Sequence, residues 1–317
     1  MTDDRTVVKP LAVVAIGGNA LARRDEPADV ATQRRNLKRV APSLVALART
    51  HRLVITHGNG PQVGRLAAQT PVMDTSLDVL DAQTAGEIGY LLCESLDAFG
   101  AARTATLITR VEVDLDDAAF ASLTKPIGPL LSSVDANALV AARGWSFVAR
   151  GAQMRRVVAS PEPQRIVEID IIRSLVEQDV IVVCAGGGGV PVTSGVGVRR
   201  GLDAVIDKDL SSSLLAIGLA ADTLVILTDV DAVRVGFGTP DEQRVLRATP
   251  AELRRYAFEA GSMAPKVLAA CRFVEATGRV AHIADLVDLE AVMRNAAGTR
   301  VATDATWLAE PILENDL

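Results

Sequence analysis

Three times this chain runs through a short apolar segment and stops on glycine. Ala12-Val13-Val14-Ala15-Ile16 leads into Gly17-Gly18-Asn19. Leu53-Val54-Ile55-Thr56 leads into His57-Gly58-Asn59-Gly60-Pro61-Gln62-Val63-Gly64, and Ile181-Val182-Val183-Cys184 leads into Gly186-Gly187-Gly188-Gly189. Unbroken β-branched runs of this kind are strands buried on both faces, as in a parallel sheet covered by helices. Glycines at a strand-to-helix turn let the backbone come close to a small anion, with the free N–H groups of the next helix facing it. Strands that end this way place their C-terminal ends around one cleft, where an open α/β sheet takes its ligand.

Between these runs the helical period recurs. Gln33 to Arg49 carries Leu37, Val40, Leu44 and Leu47 on one face, and Ala82 to Phe99 carries Ile88, Leu91, Leu92 and Leu96. Thr104 to Thr109 reads as a strand and Glu168 to Val176 as a helix. From about Val111 to Val158 the alternation lapses, and this stretch reads as an insertion with its own small fold, a lid or another functional segment. After it come a helix beginning near Asp207 with Leu210, Leu214 and Ile217, a buried strand Thr223 to Leu227, and a helix from Ser262 with core face Val267, Ala270, Cys271 and Val274. The pattern predicts an α/β fold: a three-layer α/β/α sandwich on a mainly parallel open sheet, with a small protruding subdomain.

At 317 residues the chain can bury a large core as one unit or two lobes. Its net charge of −6 argues against non-specific nucleic-acid binding. Cys93, Cys184 and Cys271 are far apart, with no CxxC pair, and read as reduced thiols of a cytoplasmic protein. His51, His57 and His282 lack zinc-ligand spacing, so no protein-held metal site is expected. Val180 to Val198 has no charged residue, yet its glycines and Pro191 exclude a bilayer helix, and no membrane contact is expected.

The candidate chemistry lies in charges beside the glycine turns. Asp207-Lys208-Asp209, at a helix start, is either a solvated cluster or a lysine held by carboxylates near an anion. Asp229 and Asp231 follow a buried strand and either contact a nucleotide or begin a turn. Lys266 opposes the dipole of its helix, which points to an anionic ligand there. Lys125, between Thr124 and Pro126, is an exposed loop residue on position alone. No GxxxxGK[ST] is present, which excludes a P-loop NTPase, and no GxGxxG sits on a first strand-helix turn with an acidic residue about 20 residues on, which argues against a dinucleotide oxidoreductase.

Taken in order, Ala15 to Leu21, Thr56 to Gly64, Thr124-Lys125-Pro126-Ile127-Gly128-Pro129, Ala204 to Leu210, Leu227 to Val233 and Ala260-Gly261-Ser262-Met263 resemble the carbamate kinases of the amino acid kinase superfamily. The resemblance runs from about residue 11 to 300. It implies an ATP:carbamate phosphotransferase, with a carbamate-binding lobe over 1–206, a protruding lid-like subdomain at about 111–158, and a nucleotide-binding lobe over 207–317. It assigns catalysis to Lys208, Lys125 and Asp209, and substrate binding to Gly17, Gly18, Asn19, His57, Gly58, Asn59 and Gly60. Nucleotide binding falls to Lys208, Asp229, Asp231, Val233, Phe237, Met263, Pro265 and Lys266, with Mg²⁺ arriving on ATP. A homodimer is also implied. Relatives acting on acetylglutamate or aspartate carry a lysine where this chain has Ala15, and Lys125 matches the subdomain lysine that replaces it in carbamate kinases. Ala264 stands in place of the usual glycine, Arg234 of a tyrosine, and Thr75-Ser76 of Met-Pro. A kinase of a larger carboxylate and a catalytically silent sensor are the alternatives.

A carbamate oxygen is anionic at neutral pH, so the transfer needs alignment and charge neutralisation rather than a general base. On this reading the amides of Gly17, Gly18, Gly58 and Asn59 hold carbamate and the moving phosphoryl group. Lys208 and Lys125 face its oxygens, Asp209 orients Lys208, and Lys266 sits on the nucleotide phosphates.

Overall fold

The computed structural model describes residues 8–21, 26, 29–69, 75–195, 197–259 and 262–311, so Ala260 and Gly261 fall outside it. Strand β1 (Leu11–Ile16) is followed by α1 (Gly18–Leu21), α2 (Val30–Thr50), β2 (Arg52–His57), α3 (Gly60–Gln69), α4 (Leu77–Ala98) and β3 (Thr104–Thr106). The middle of the chain gives β4 (Arg110–Val113), β5 (Lys125–Leu131), α5 (Ser133–Arg143), β6 (Ser146–Arg150), β7 (Gln153–Val158), β8 (Arg165–Ile166), α6 (Ile169–Glu177), β9 (Ile181–Val183) and β10 (Val190–Thr193). Then come α7 (Lys208–Gly218), β11 (Thr223–Thr228), β12 (Val233–Val235), β13 (Gln243–Ala248), α8 (Pro250–Leu253), α9 (Met263–Thr277), β14 (Val280–Asp285), α10 (Leu289–Met293), β15 (Thr299–Val301) and β16 (Leu308–Pro311).

The main sheet has the order β12-β13-β15-β14-β11-β1-β2-β9-β3, with β16 on β13. From β14 to β3 every neighbouring pair is parallel, and the antiparallel pairs gather at the β12 end. β1 explains the layering. Val13 and Ala15 face one apolar cluster, with Ile172 of α6, Leu215 of α7 and Phe273 and Val274 of α9. Ala12, Val14 and Ile16 face the other, with Leu37 and Leu44 of α2 and Ile88, Leu92 and Leu96 of α4. A strand buried on both faces needs a helix layer on each side, and this chain supplies both. The result is the expected three-layer sandwich.

Local differences have local causes. The expected strand Thr104–Thr109 divides into β3 and β4, which join different sheets: β3 pairs with β9, and β4 with β10 and β8. Helix α4 begins at Leu77, five residues earlier than its apolar period suggests, because Asp203 Oδ1 accepts the Leu77 N–H at 3.1 Å. Leu210, Leu214 and Ile217 of α7 are only half-buried, and its innermost face is Ser211, Ser212, Leu215 and Ala216. The serines are satisfied internally, Ser211 Oγ donating to Gly188 O at 2.6 Å and Ser212 Oγ lying 2.6 Å from Thr56 Oγ1.

The antiparallel sheet β5-β7-β6 with α5 projects from this body. It is anchored by a backbone contact: a Cβ on Gly64 of α3 would overlap Gly128 of β5. Gly128 also has φ +70°, so two glycines are required for α3 and β5 to lie this close.

Candidate active site

β1, β2 and β11 end level with one another, Ile16 pairing with His57 on one side and Leu227 on the other. Just beyond, Gly17 donates its N–H to Leu227 O and Gly58 to Ile16 O, both at 3.0 Å. These two amides continue the ladder for one more residue and are not open to an anion. That corrects half of the expected amide cradle. The N–H groups of Gly18, first in α1, and of Asn59, just ahead of α3, stand at helix entrances where no turn of their own helix can accept them. A Cβ on Gly58 would stand 3.0 Å from Gly18 N and 3.3 Å from Lys208 Cδ. The missing side chain is what lets the two turns and that lysine meet.

Lys208 opens α7, and both flanking aspartates hold lysines. Asp207 caps the helix through Oδ1, accepting Asp209 N–H at 2.9 Å, while its Oδ2 takes Lys125 Nζ at 2.6 Å. Asp209, 2% exposed, binds Lys208 through Oδ1 and Lys266 through Oδ2, the latter at 3.1 Å. Lysines from the protruding sheet, α7 and α9 therefore converge on two carboxylates. A third carboxylate, Asp229, also acts on Lys266 at longer range. Burial lowers the pKa of Lys208, with Asp209 opposing. Burial would also lower Lys266, but Asp209 raises it. Burial would lift Asp209, yet Lys208 and Lys266 hold it well below the ordinary carboxylate range.

His57 is buried, and burial pushes its pKa down to about 4, so the ring is neutral at neutral pH. Its Nδ1 lies 3.2 Å from Gly58 O; a carbonyl only accepts, so Nδ1 carries the proton. The Asn59 side chain donates to Asp81 Oδ1 and, at 2.8 Å, to Thr84 Oγ1. Asp81 is fully buried, and burial lifts its pKa to about 7. The third glycine run is not an open turn. Gly186, Gly187 and Gly188 are buried, with Gly188 and Gly189 donating to Ala185 O and Gly186 O. A Cβ on Gly186 would stand 2.6 Å from the His57 ring, and one on Gly187 would collide with Asn59 and Asp81. This run buttresses the second turn and, at Gly188, packs against the backbone of Ile206 and Asp207 ahead of Lys208.

The residues expected at a nucleotide divide into two groups. Met263 and Pro265, half-buried in the first turn of α9, stand beside Lys266, and Ala264 between them has ordinary helical backbone, absent from the positive-φ set. Asp229 is exposed at the end of β11, its Oδ1 accepting Thr228 Oγ1 at 3.1 Å. Asp231 is held by Arg234 and Arg244, each at 3.2 Å, so the arginine in place of tyrosine serves an ion pair. Val233 is a core residue whose N–H donates to Thr299 Oγ1 at 2.8 Å. Phe237 lies 76% exposed between Gly236 and Gly238. The geometry thus gathers Lys125, Lys208, Asp209, Lys266, Gly18 and Gly58, and leaves Asp231 and Val233 in the sheet-edge framework. Sequence reasoning gave Asp207 no separate role; its helix-capping position ahead of Lys208 was the available signal.

With this geometry in place, a profile of the amino acid kinase family matches residues 10–285, and the chain belongs to that family. Within it, the chain's similarity is to the carbamate kinases. The carbamate kinase of Rhizobium meliloti (strain 1021) is 45% identical over 94% of this chain and 96% of its own length. The structure of carbamate kinase from Giardia lamblia bound to AMP-PNP superposes with a TM-score of 0.85 at 36% identity, covering 93% of this chain and 98% of that one. UMP kinase from Bacillus anthracis, at 13% identity and a TM-score of 0.56, shares the fold alone.

Proposed function

We propose that this chain catalyses reversible phosphoryl transfer between ATP and carbamate, giving ADP and carbamoyl phosphate. The observation that carries it is the convergence of Lys125, Lys208 and Lys266 on Asp207 and Asp209, beside the helix-entrance amides at Gly18 and Asn59. A transferring phosphoryl group spreads negative charge over its oxygens, and positioned ammonium groups meet that charge without first reorganising. Lys208 and Lys125 face the phosphoryl oxygens and Lys266 the nucleotide phosphates. Asp209 keeps Lys208 and Lys266 charged and apart, and Asp207 does the same for Lys125. His57 is a neutral donor in this scheme and not a base, in keeping with an acceptor that is already anionic.

Met263 and Pro265 flank the nucleotide beside Lys266, Asp229 lies at its edge, and Phe237 is an exposed ring for the base. Among the described residues no group of three His, Cys, Asp or Glu side chains can hold a metal. Mg²⁺ would arrive with ATP, held by phosphate oxygens and water, and would add to the charge neutralisation. No helix of the described residues is long and apolar enough to cross a membrane, and a cytoplasmic location is part of the proposal. So is a homodimer, with α4 as the contact because Val79 and Tyr90 are exposed on it. ADP release with ammonium bicarbonate as acceptor, compared with acetylglutamate, aspartate and UMP, tests the reading. Turnover confined to the carbamate source is the expected result, and preference for another acceptor would overturn it.

A further inference from the structure

A cavity distinct from the lysine cluster lies beside the protruding sheet. About 930 Å³ opens between the protruding sheet and the body, and Lys125, Lys208, Lys266, Asp207 and Asp209 are absent from its described lining. One wall is cationic. Arg156 of β7 is 8% exposed, and its guanidinium lies over Trp145 at 3.6 Å from the ring centroid, with Arg143 over the same ring at 5.0 Å. Among the described residues Arg156 Nη1 is buried without a hydrogen-bond partner, and Asp203 acts on this guanidinium only at longer range. The facing walls are apolar at Phe120 and Leu123, with one acid, Asp203, whose Oδ1 already accepts the Leu77 N–H. The described lining carries Arg143 and Arg156 with Asp203 as its acid.

A buried guanidinium without an anion is costly, and a well-packed fold supplies its counter-charge from within or from a ligand. Among the described residues the fold supplies the face of Trp145 and, at longer range, Asp203. We propose that this cavity is a binding site for a small organic anion, a carboxylate or phosphate head on a compact apolar body, with the head at Arg156 and the body against Trp145, Phe120 and Leu123. The site is separate from the phosphoryl-transfer centre but mechanically close to it. Arg156 stands opposite Ile127 in the β5–β7 register, and the next pairs along are Pro126 with Val157 and Lys125 with Val158.

Trp145 is the built-in reporter. The chain has two tryptophans, and the other, Trp307, stacks on Tyr256 at 5.5 Å, so Trp307→Phe isolates the cavity signal. In that background, benzoate and phenyl phosphate are titrated while Trp145 emission is followed. A saturable change complete by about 10 mM is expected for at least one probe, and which probe binds tells carboxylate from phosphate. Arg156→Gln should weaken binding about tenfold or more, the scale of a lost charge-assisted hydrogen bond. Should that variant fail to fold, Ala142→Glu, at an exposed α5 position on the cavity wall, adds a carboxylate and should weaken binding likewise. Lys208→Ala should leave the titration unchanged. Absence of a saturable change with both probes, insensitivity to Arg156→Gln or, where that variant does not fold, to Ala142→Glu, or loss in Lys208→Ala would each overturn the proposal.

Discussion

Replacing Asp209 by asparagine removes one negative charge while keeping the size of the side chain, and the cost can be worked from its surroundings. Asp209 is 2% exposed and is shared by Lys208 and Lys266, whose own side chains are only 11% and 15% exposed. An asparagine amide can accept from one ammonium group, but its NH₂ would then face the other. Removing one partner of a buried ion pair costs about 3–5 kcal/mol, because the opposite charge is left uncompensated. Two lysines share this carboxylate, so a loss at the upper end of that range is expected for the ligand-free protein. Nucleotide phosphates can supply the missing negative charge, so saturating ADP should recover more stability in Asp209→Asn than in the parent chain. Turnover should fall by about 10²–10³, since Lys208 loses the group that orients it. Urea unfolding followed by far-UV circular dichroism, with and without ADP, measures the stability loss and its recovery. A variant within about 1 kcal/mol of the parent, with the same response to ADP, would refute the shared-carboxylate account.

Three further outcomes are expected from the same geometry. Ala264→Gly should leave ADP affinity unchanged or slightly lower, because Ala264 is in ordinary helical backbone at the start of α9 and glycine only loosens that turn; a clear gain by calorimetry would show that alanine crowds the nucleotide. ADP with carbamoyl phosphate should protect residues 111–158 from limited proteolysis if that segment closes over the site, with Lys125→Ala folded but slow; identical cleavage with and without ligands would count against closure. His57 and His282 are both pushed to about 4 by burial, so their contribution is fully present above 6.5 and is lost as pH falls towards 4, by roughly 3 kcal/mol each over the whole span. Asp81, lifted to about 7, works in the opposite sense, its contribution being lost as pH rises through 7, so over the shared window two groups act against one. His282→Leu, distant from the lysines, should therefore flatten the fall in the urea midpoint between pH 6.5 and 4.5; an unchanged slope would contradict this.

The layered fold was legible because its signal is local. β1, β2, β9 and β11 are continuous apolar runs, and the helices between them keep their period in Leu37, Val40 and Leu44 or in Ile88, Leu92 and Leu96. The lysines were legible through the resemblance and through their neighbours, since Lys208 sits between two acids and Lys266 opposes a helix dipole. What composition and spacing hid was pairing across long separations. Nothing near Lys125 in sequence foretells Asp207, 82 residues away, and nothing near Gly64 foretells the backbone of Gly128. The glycine turns misled for a related reason. Glycine marks close approach of something, and only the fold shows that at Gly186 and Gly187 it is the protein's own His57 and Asn59. The pairing of Arg156 with Trp145 was hidden because an arginine next to an apolar strand end reads as surface until β7 is seen to be covered.

The central claim is that Lys208 meets charge developing on the phosphoryl group, and it rests on one side chain. The direct measurement is carbamoyl phosphate formation from ATP and carbamate by the parent chain and by Lys208→Ala, with ADP affinity determined on both. The account predicts a drop in kcat of about 10²–10³ with ADP affinity changed far less. Near-native kcat in Lys208→Ala, or a loss confined to nucleotide affinity, would contradict it.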